Sequence, residues 1–157
     1  DFHTSSLMYR RQYGEVMYSE VCPEFFRKAK RVADYPKAIF LALNGKIRFF
    51  PEIMSVYRLG TEGSWTKSVE NREMLLEVQK SLIDMLKSVD EYTKYSYHLI
   101  IQSIIEKRIL LILDKAIDIE VLKSIKIRTI IRKQTIKNRI KIYIKLFLLN
   151  KIRMKKR

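Results

Sequence analysis

The position of Pro36 limits what the middle of this chain can form. Proline fixes φ and has no N–H, so it suits the first turn of a helix, and Asp34 lies just before it. Residues 38–43 are all apolar, which predicts a buried helix, and Gly45 is expected to end it in a left-handed conformation. We therefore predict a short internal helix that begins near Asp34.

Two segments after this helix have the composition of β-strands. Residues 46–50 and 53–58 are rich in β-branched and aromatic side chains, and Pro51 separates them. The order helix, strand, strand predicts an α/β arrangement up to about residue 66.

Asp34 has two interpretations. Aspartate is a favoured N-cap residue, and the helix dipole stabilises its charge there, so a purely structural role is the simpler one. The second interpretation is chemical, because a carboxylate held ionised at the end of a rigid helix is able to accept a proton from a bound hydroxyl group. The two roles are compatible, and Asp34 is our candidate catalytic base.

Five short motifs occur in order along the first part of the chain. They are His3 to Arg10, which includes Thr4-Ser5-Ser6, then Ala33-Asp34-Tyr35-Pro36, Leu41 to Ile47, Met54 to Arg58, and Gly63-Ser64-Trp65-Thr66. Over roughly residues 2–66 this series resembles the C-terminal half of bacterial family 2 glycosyltransferases, which have a GT-A type fold. In that family a Thr-Ser-Ser strand, a Gly-Asp-Tyr motif with the catalytic base and a Tyr-Arg motif follow one another. Each motif alone is weak, and their shared order makes the resemblance specific.

The resemblance implies an activity and a set of site residues. The activity is inverting transfer of a sugar from a nucleotide-sugar donor to a hydroxyl group of a glycan or lipid-linked acceptor in cell-surface glycan synthesis. Asp34 is implied as the catalytic base, with Thr4, Ser5, Arg58 and Trp65 as substrate-binding residues. The plainer alternatives are a strand end for Thr4 and Ser5, a solvated charge for Arg58, and a contact that pins the loop for Trp65. We favour a mobile lid around Trp65.

Two positions depart from the family pattern. Ala33 replaces the usual glycine, and Gly60 stands where many members have a histidine, which weakens the case for a metal or phosphate contact from that loop. The resemblance implies a divalent cation, Mg²⁺ or Mn²⁺, in the full-length enzyme, with its Asp-x-Asp ligands outside this chain. The nucleotide-binding half is also expected to lie outside it, so the isolated chain is expected to be inactive.

A helical extension is predicted over 67–120. From Glu70 onward, apolar residues recur at steps of three and four, which predicts an amphipathic helix. These residues are Leu75, Val78, Leu82, Leu86 and Val89. A second helix is predicted from about Glu91, and a third near Asp118.

The last 37 residues, 121–157, contain 14 Lys or Arg and no Asp or Glu, and so hold nearly all of the formal net charge of +15. Isoleucine and leucine interleave with these charges, and no apolar run reaches the roughly 18 residues of a spanning helix. Three interpretations are open: a basic amphipathic helix on an anionic membrane surface, a nucleic-acid-binding arm, and a solvated tail of biased composition. We favour the membrane, because only Tyr143 and Phe147 are aromatic and available to stack on bases. Together with the resemblance, this predicts a peripheral enzyme on the cytoplasmic face of the bacterial inner membrane.

Other signals for chemistry are weak. Cys22 is the only cysteine, which excludes an internal disulfide and fits a reducing compartment. His3 and His98 have no carboxylate at ligand spacing, so no metal site is predicted. The competing class of function is a noncatalytic module in which the helices after Glu70 bind a membrane or nucleic acid and Asp34 only caps its helix.

Overall fold

The computed structural model describes residues 7–30, 32–53, 56, 71–115 and 127–154. The helices in these ranges are α1 Arg11–Met17, α2 Glu24–Lys28, α3 Asp34–Asn44, α4 Arg72–Tyr92, α5 His98–Lys115, α6 Ile127–Arg132 and α7 Ile136–Met154. The chain forms two compact units, 1–105 and 106–157. The predicted domain boundaries after residues 66 and 120 lie outside the described residues.

Helix α4 supplies about half of the buried apolar side chains in the described part of the first unit. Its apolar residues follow the predicted spacing, and its buried side chains include Val78, Leu82, Met85, Leu86 and Val89. At its N-terminus the Asn71 side chain accepts hydrogen bonds from the backbone N–H groups of Glu73, at 2.8 Å, and Met74, at 3.2 Å. The prediction of an amphipathic helix after Glu70 is confirmed.

Helix α2 packs against α4. The Phe25 ring is fully buried, with its centroid 5.1 Å from that of Phe26 and 5.3 Å from that of Tyr92 on α4. From α4, Ser81 Oγ lies 2.8 Å from the carbonyl oxygen of Lys28 and 3.0 Å from that of Lys30. Because a helix end leaves carbonyl groups without an i+4 amide partner, this hydroxyl group stabilises the C-terminal end of α2.

A tight turn separates α4 from α5. Lys94 and Tyr95 have φ values of 49° and 61°, a left-handed conformation that residues with side chains adopt rarely. Thr93 Oγ1 donates a hydrogen bond back to the carbonyl oxygen of Val89 at 2.9 Å. The second helix therefore begins at His98, and its predicted start near Glu91 is wrong, because the left-handed pair ends the helical path. The third predicted helix start, at Asp118, lies outside the described residues.

The predicted α/β class is wrong, because no strand occurs among the described residues, which are mainly helical. Residues 46–53 have no regular structure, and Ile47 and Phe49 are 72% and 84% exposed. A β-strand is stable when its backbone is paired and one face is packed, and no described segment pairs with these residues. Their β-propensity is therefore not realised, and the structure gives no support for a GT-A fragment. Positions 54, 55 and 57–66 lie outside the described residues.

Helix α3 has the predicted bounds, but its surroundings and its end differ from the prediction. Among its residues Pro36 and Phe40 are buried while Ala42 is exposed, so the helix turns one side inward and is not internal. Gly45 has φ −175° and ψ 176°, an extended conformation, so the left-handed stop is wrong. Instead, Asn44 Nδ2 donates to the Phe40 carbonyl at 2.8 Å, and the Tyr13 hydroxyl donates to the Asn44 carbonyl at 3.1 Å.

The second unit has a small isoleucine-rich core. Its buried residues include Ile109, Ile112, Leu113, Ile130 and Ile131. Lys133 Nζ and Glu106 Oε1 form an ion pair at 2.6 Å between the end of α6 and α5. No helix in the described part of the chain combines the length and the apolar character needed to cross a membrane.

Candidate functional site

Asp34 is the first residue of α3 and is half-buried. The N-cap position belongs to Ala33, whose φ of −61° and ψ of −22° are helical and which makes no side-chain cap hydrogen bond. Asp34 Oδ1 accepts a hydrogen bond from the Tyr35 backbone N–H at 3.1 Å. The carboxylate thus lies in the first turn, where the helix dipole stabilises a negative charge, and not at the N-cap.

A cation lies one turn along α3 from this carboxylate. Lys37 follows Asp34 at i+3 spacing, and its Nζ is 5.4 Å from the centroid of the exposed Tyr18 ring. The pKa of Lys37 is raised, first by a side-chain hydrogen bond to Tyr18; burial opposes the rise, and nearby Tyr18, Tyr9 and Asp34 add to it. The N-terminal end of α3 therefore combines a carboxylate, an ammonium group and phenolic side chains within electrostatic range.

Aromatic side chains fix α3 to its neighbours. The buried Phe40 ring makes edge-to-face contacts with Tyr13 on α1, at 6.3 Å between centroids, and with Phe26 on α2, at 5.8 Å. Pro36 is also fully buried, one turn before Phe40. These contacts give the helix that carries Asp34 a packed support, which a positioned catalytic group requires.

The other predicted site residues are not placed by the structure. Thr4, Ser5, Arg58 and Trp65 all lie outside the described residues. Of the predicted site, the structure therefore locates Asp34 alone, and the substrate-binding roles of the other four remain predictions.

A paired carboxylate and histidine escaped the sequence reasoning. Asp90 is buried, and its Oδ2 lies 2.7 Å from His98 Nδ1, across the turn between α4 and α5. The Asp90 Oδ1 atom is buried with no hydrogen-bond partner in the structure. Asp90 and His98 are eight residues apart and lie on either side of a helix break, a spacing that matches no helical or metal-ligand pattern. The only signal for this pair in the sequence is a histidine at the start of a helix.

The described residues do not gather three His, Cys, Asp or Glu side chains into a metal-binding group. The Asp90–His98 pair supplies two, with the histidine ring partly exposed and the carboxylate buried. The divalent cation implied by the resemblance therefore finds no fitting set of ligands in this part of the chain.

Comparison with protein-family models, with curated proteins and with solved structures finds no match to this chain. The glycosyltransferase motifs are thus a likeness in the sequence alone. The structure adds that Asp34 lies on a helix that aromatic contacts hold against α1 and α2.

Proposed function

We propose that this chain supplies the acceptor-activating part of an inverting glycosyltransferase, which moves a sugar from a nucleotide-sugar donor to a hydroxyl group of a glycan or lipid-linked acceptor. The ordered motifs of residues 2–66 support the choice of reaction. One structural observation supports the choice of base: Asp34 is half-buried in the first turn of a helix that Phe40 anchors to α1 and α2.

In the proposed reaction, Asp34 accepts the proton of the acceptor hydroxyl group as that oxygen attacks the anomeric carbon. The new bond forms on the side opposite the nucleotide, the bond to the diphosphate breaks, and the diphosphate leaves with the electron pair, so the configuration inverts. The base itself contributes about 10²- to 10⁴-fold to the rate.

The proposed location is the cytoplasmic face of the bacterial inner membrane, with the enzyme attached peripherally. A lipid-linked acceptor would be presented at that surface. The 14 Lys and Arg residues of 121–157, with no acidic residue among them, support attachment to anionic lipid.

The Asp34→Asn variant of the full-length enzyme tests the proposal. The amide keeps the size of the side chain but is a poor base, so we expect the rate constant of sugar transfer to fall by about 10²- to 10⁴-fold with unchanged thermal unfolding. Asp84→Asn is the matched control, because Asp84 is an exposed helical carboxylate that pairs with Lys87 at 3.7 Å. Transfer at the wild-type rate by the folded Asp34→Asn enzyme would reject the mechanism.

A noncatalytic module that binds a membrane is the second candidate. Exposed apolar residues on α7 together with the basic charge of 121–157 favour it. In that case neither the wild type nor Asp34→Asn would transfer sugar, and both would bind anionic vesicles equally well.

A further inference from the structure

Helix α7 carries a continuous apolar face that is open to solvent. Five of its apolar residues are at least half exposed, and they occur at positions i, i+4, i+7, i+8 and i+11. These residues are Ile136, Ile140, Tyr143, Ile144 and Phe147. Because successive residues on a helix are about 100° apart, the five positions fall within a strip about 100° wide.

The two borders of this apolar face differ in character. On one side lie the half-buried positions of Arg139, Ile142 and Leu146, which belong to the packed side of the helix. On the other side lies the exposed Lys137, and in the sequence of this helix lysine recurs every four residues after it. Asn138 is exposed and lies about 160° around the helix from Ile140. An apolar strip beside a basic edge is the arrangement of helices that lie in a membrane interface.

We propose that this face of α7 inserts into the interfacial layer of an anionic lipid bilayer, with the helix parallel to the membrane plane. The inference deepens the proposed function, since it names the surface that attaches the enzyme. Membrane binding then has two contributions. The side chains of Ile136, Ile140, Ile144, Tyr143 and Phe147 insert into the bilayer, and the basic residues are attracted to the anionic headgroups. Attraction by the basic residues alone would not depend on which face of α7 is altered.

Charge complementarity selects lipid as the occupant of this face. No acidic residue occurs anywhere in 121–157, so a second copy of the helix would bring its own lysines against these. An anionic headgroup layer instead offers opposite charge at the level of the lysine edge and an apolar layer beneath it. Tyr143 and Phe147 suit that boundary, because aromatic side chains favour the region between headgroups and acyl chains.

Two variants that add the same charge to opposite sides of α7 test the proposal. Full chains carrying Ile140→Glu or Asn138→Glu are sedimented with phosphatidylcholine vesicles, with and without phosphatidylglycerol. Both substituted positions are exposed, and glutamate favours helix, so circular dichroism should match the wild type.

Asn138→Glu should weaken binding to anionic vesicles about fivefold, through charge alone. Ile140→Glu should weaken it about tenfold further, since it also removes an inserted side chain. Ile144→Glu, on the same face, should behave like Ile140→Glu.

The outcomes separate the alternatives. Equal losses for Ile140→Glu and Asn138→Glu, or equal wild-type binding to neutral and anionic vesicles, would overturn the proposal. A concentration-dependent dimer that Ile140→Glu dissolves, without vesicle binding, would assign the face to a second copy and overturn it too. Vesicle binding is measured without sugar transfer, so its failure is distinct from failure of the proposed reaction.

Discussion

At the scale of single residues, the buried carboxylate of Asp90 is the most consequential group outside the candidate site. A carboxylate removed from water is costly unless it is paired, and here Oδ2 has His98 as its partner while Oδ1 has none in the structure. The pair joins the last turn of α4 to the first residue of α5. The contact therefore stabilises the turn between α4 and α5.

Removal of this partner should destabilise the first unit. We expect His98→Ala to lower the free energy of unfolding by about 1–3 kcal/mol, because the buried carboxylate loses its hydrogen bond. Urea denaturation followed by circular dichroism measures the change. The control is the double variant Asp90→Leu/His98→Ala, which removes the charge as well and should recover part of the loss. A single variant as stable as the wild type would mean that the pair contributes nothing.

At the scale of secondary-structure elements, the contact between α2 and α4 depends on a hydroxyl group as well as on apolar packing. Ser81 is buried on α4 and reaches the carbonyl groups at the C-terminal end of α2. Helix α2 has only 5 residues, too few for independent stability, so its persistence follows from its contacts with the longer helix.

Two serine substitutions on α4 test this dependence. Ser81→Ala should lower the free energy of unfolding by about 1–2 kcal/mol, because the carbonyl groups of Lys28 and Lys30 lose the hydroxyl donor. Ser88→Ala, at a half-buried position of the same helix, should be neutral or slightly stabilising, since alanine favours helix. Thermal unfolding of the two variants gives the comparison. If both have the same midpoint, the Ser81 hydrogen bonds do not support α2.

The same elements show which parts of the fold the sequence could predict. Helix α4 was predictable because its apolar period is local and long, and α3 because Pro36 marks its first turn. The contacts that end α3 were not predictable, since one of them comes from Tyr13, 31 residues away in sequence. The strand prediction for 46–50 failed because β-propensity is realised only with a pairing partner.

The candidate site was predictable to a smaller extent. Asp34 was expected at the start of a helix and is found there, but its neighbours Tyr18 and Lys37 were not singled out. Tyr18 comes from the segment after α1, and only the folded chain shows that it approaches α3. The left-handed pair at Lys94 and Tyr95 also carries no glycine or asparagine signal, so the Asp90–His98 contact could not be foreseen.

At the scale of the whole molecule, positive charge is concentrated in the last 37 residues, while the remainder is nearly balanced. Under the proposed function these two parts of the chain have different roles. The region around α3 would activate the acceptor, and α7 would hold the enzyme where a lipid-linked acceptor lies. Attachment and chemistry are separable in this scheme, so variants of α7 should change vesicle binding and leave the Asp34 carboxylate in place.

The stereochemistry of the product tests the central claim most directly. The protein that contains this chain is incubated with a panel of α-linked nucleotide sugars and a hydroxyl acceptor, and any new glycosidic bond is examined by proton NMR spectroscopy. Single displacement with Asp34 as base predicts a β-linked product from wild-type enzyme and almost none from Asp34→Asn. An α-linked product, or equal product from the two enzymes, would contradict the account.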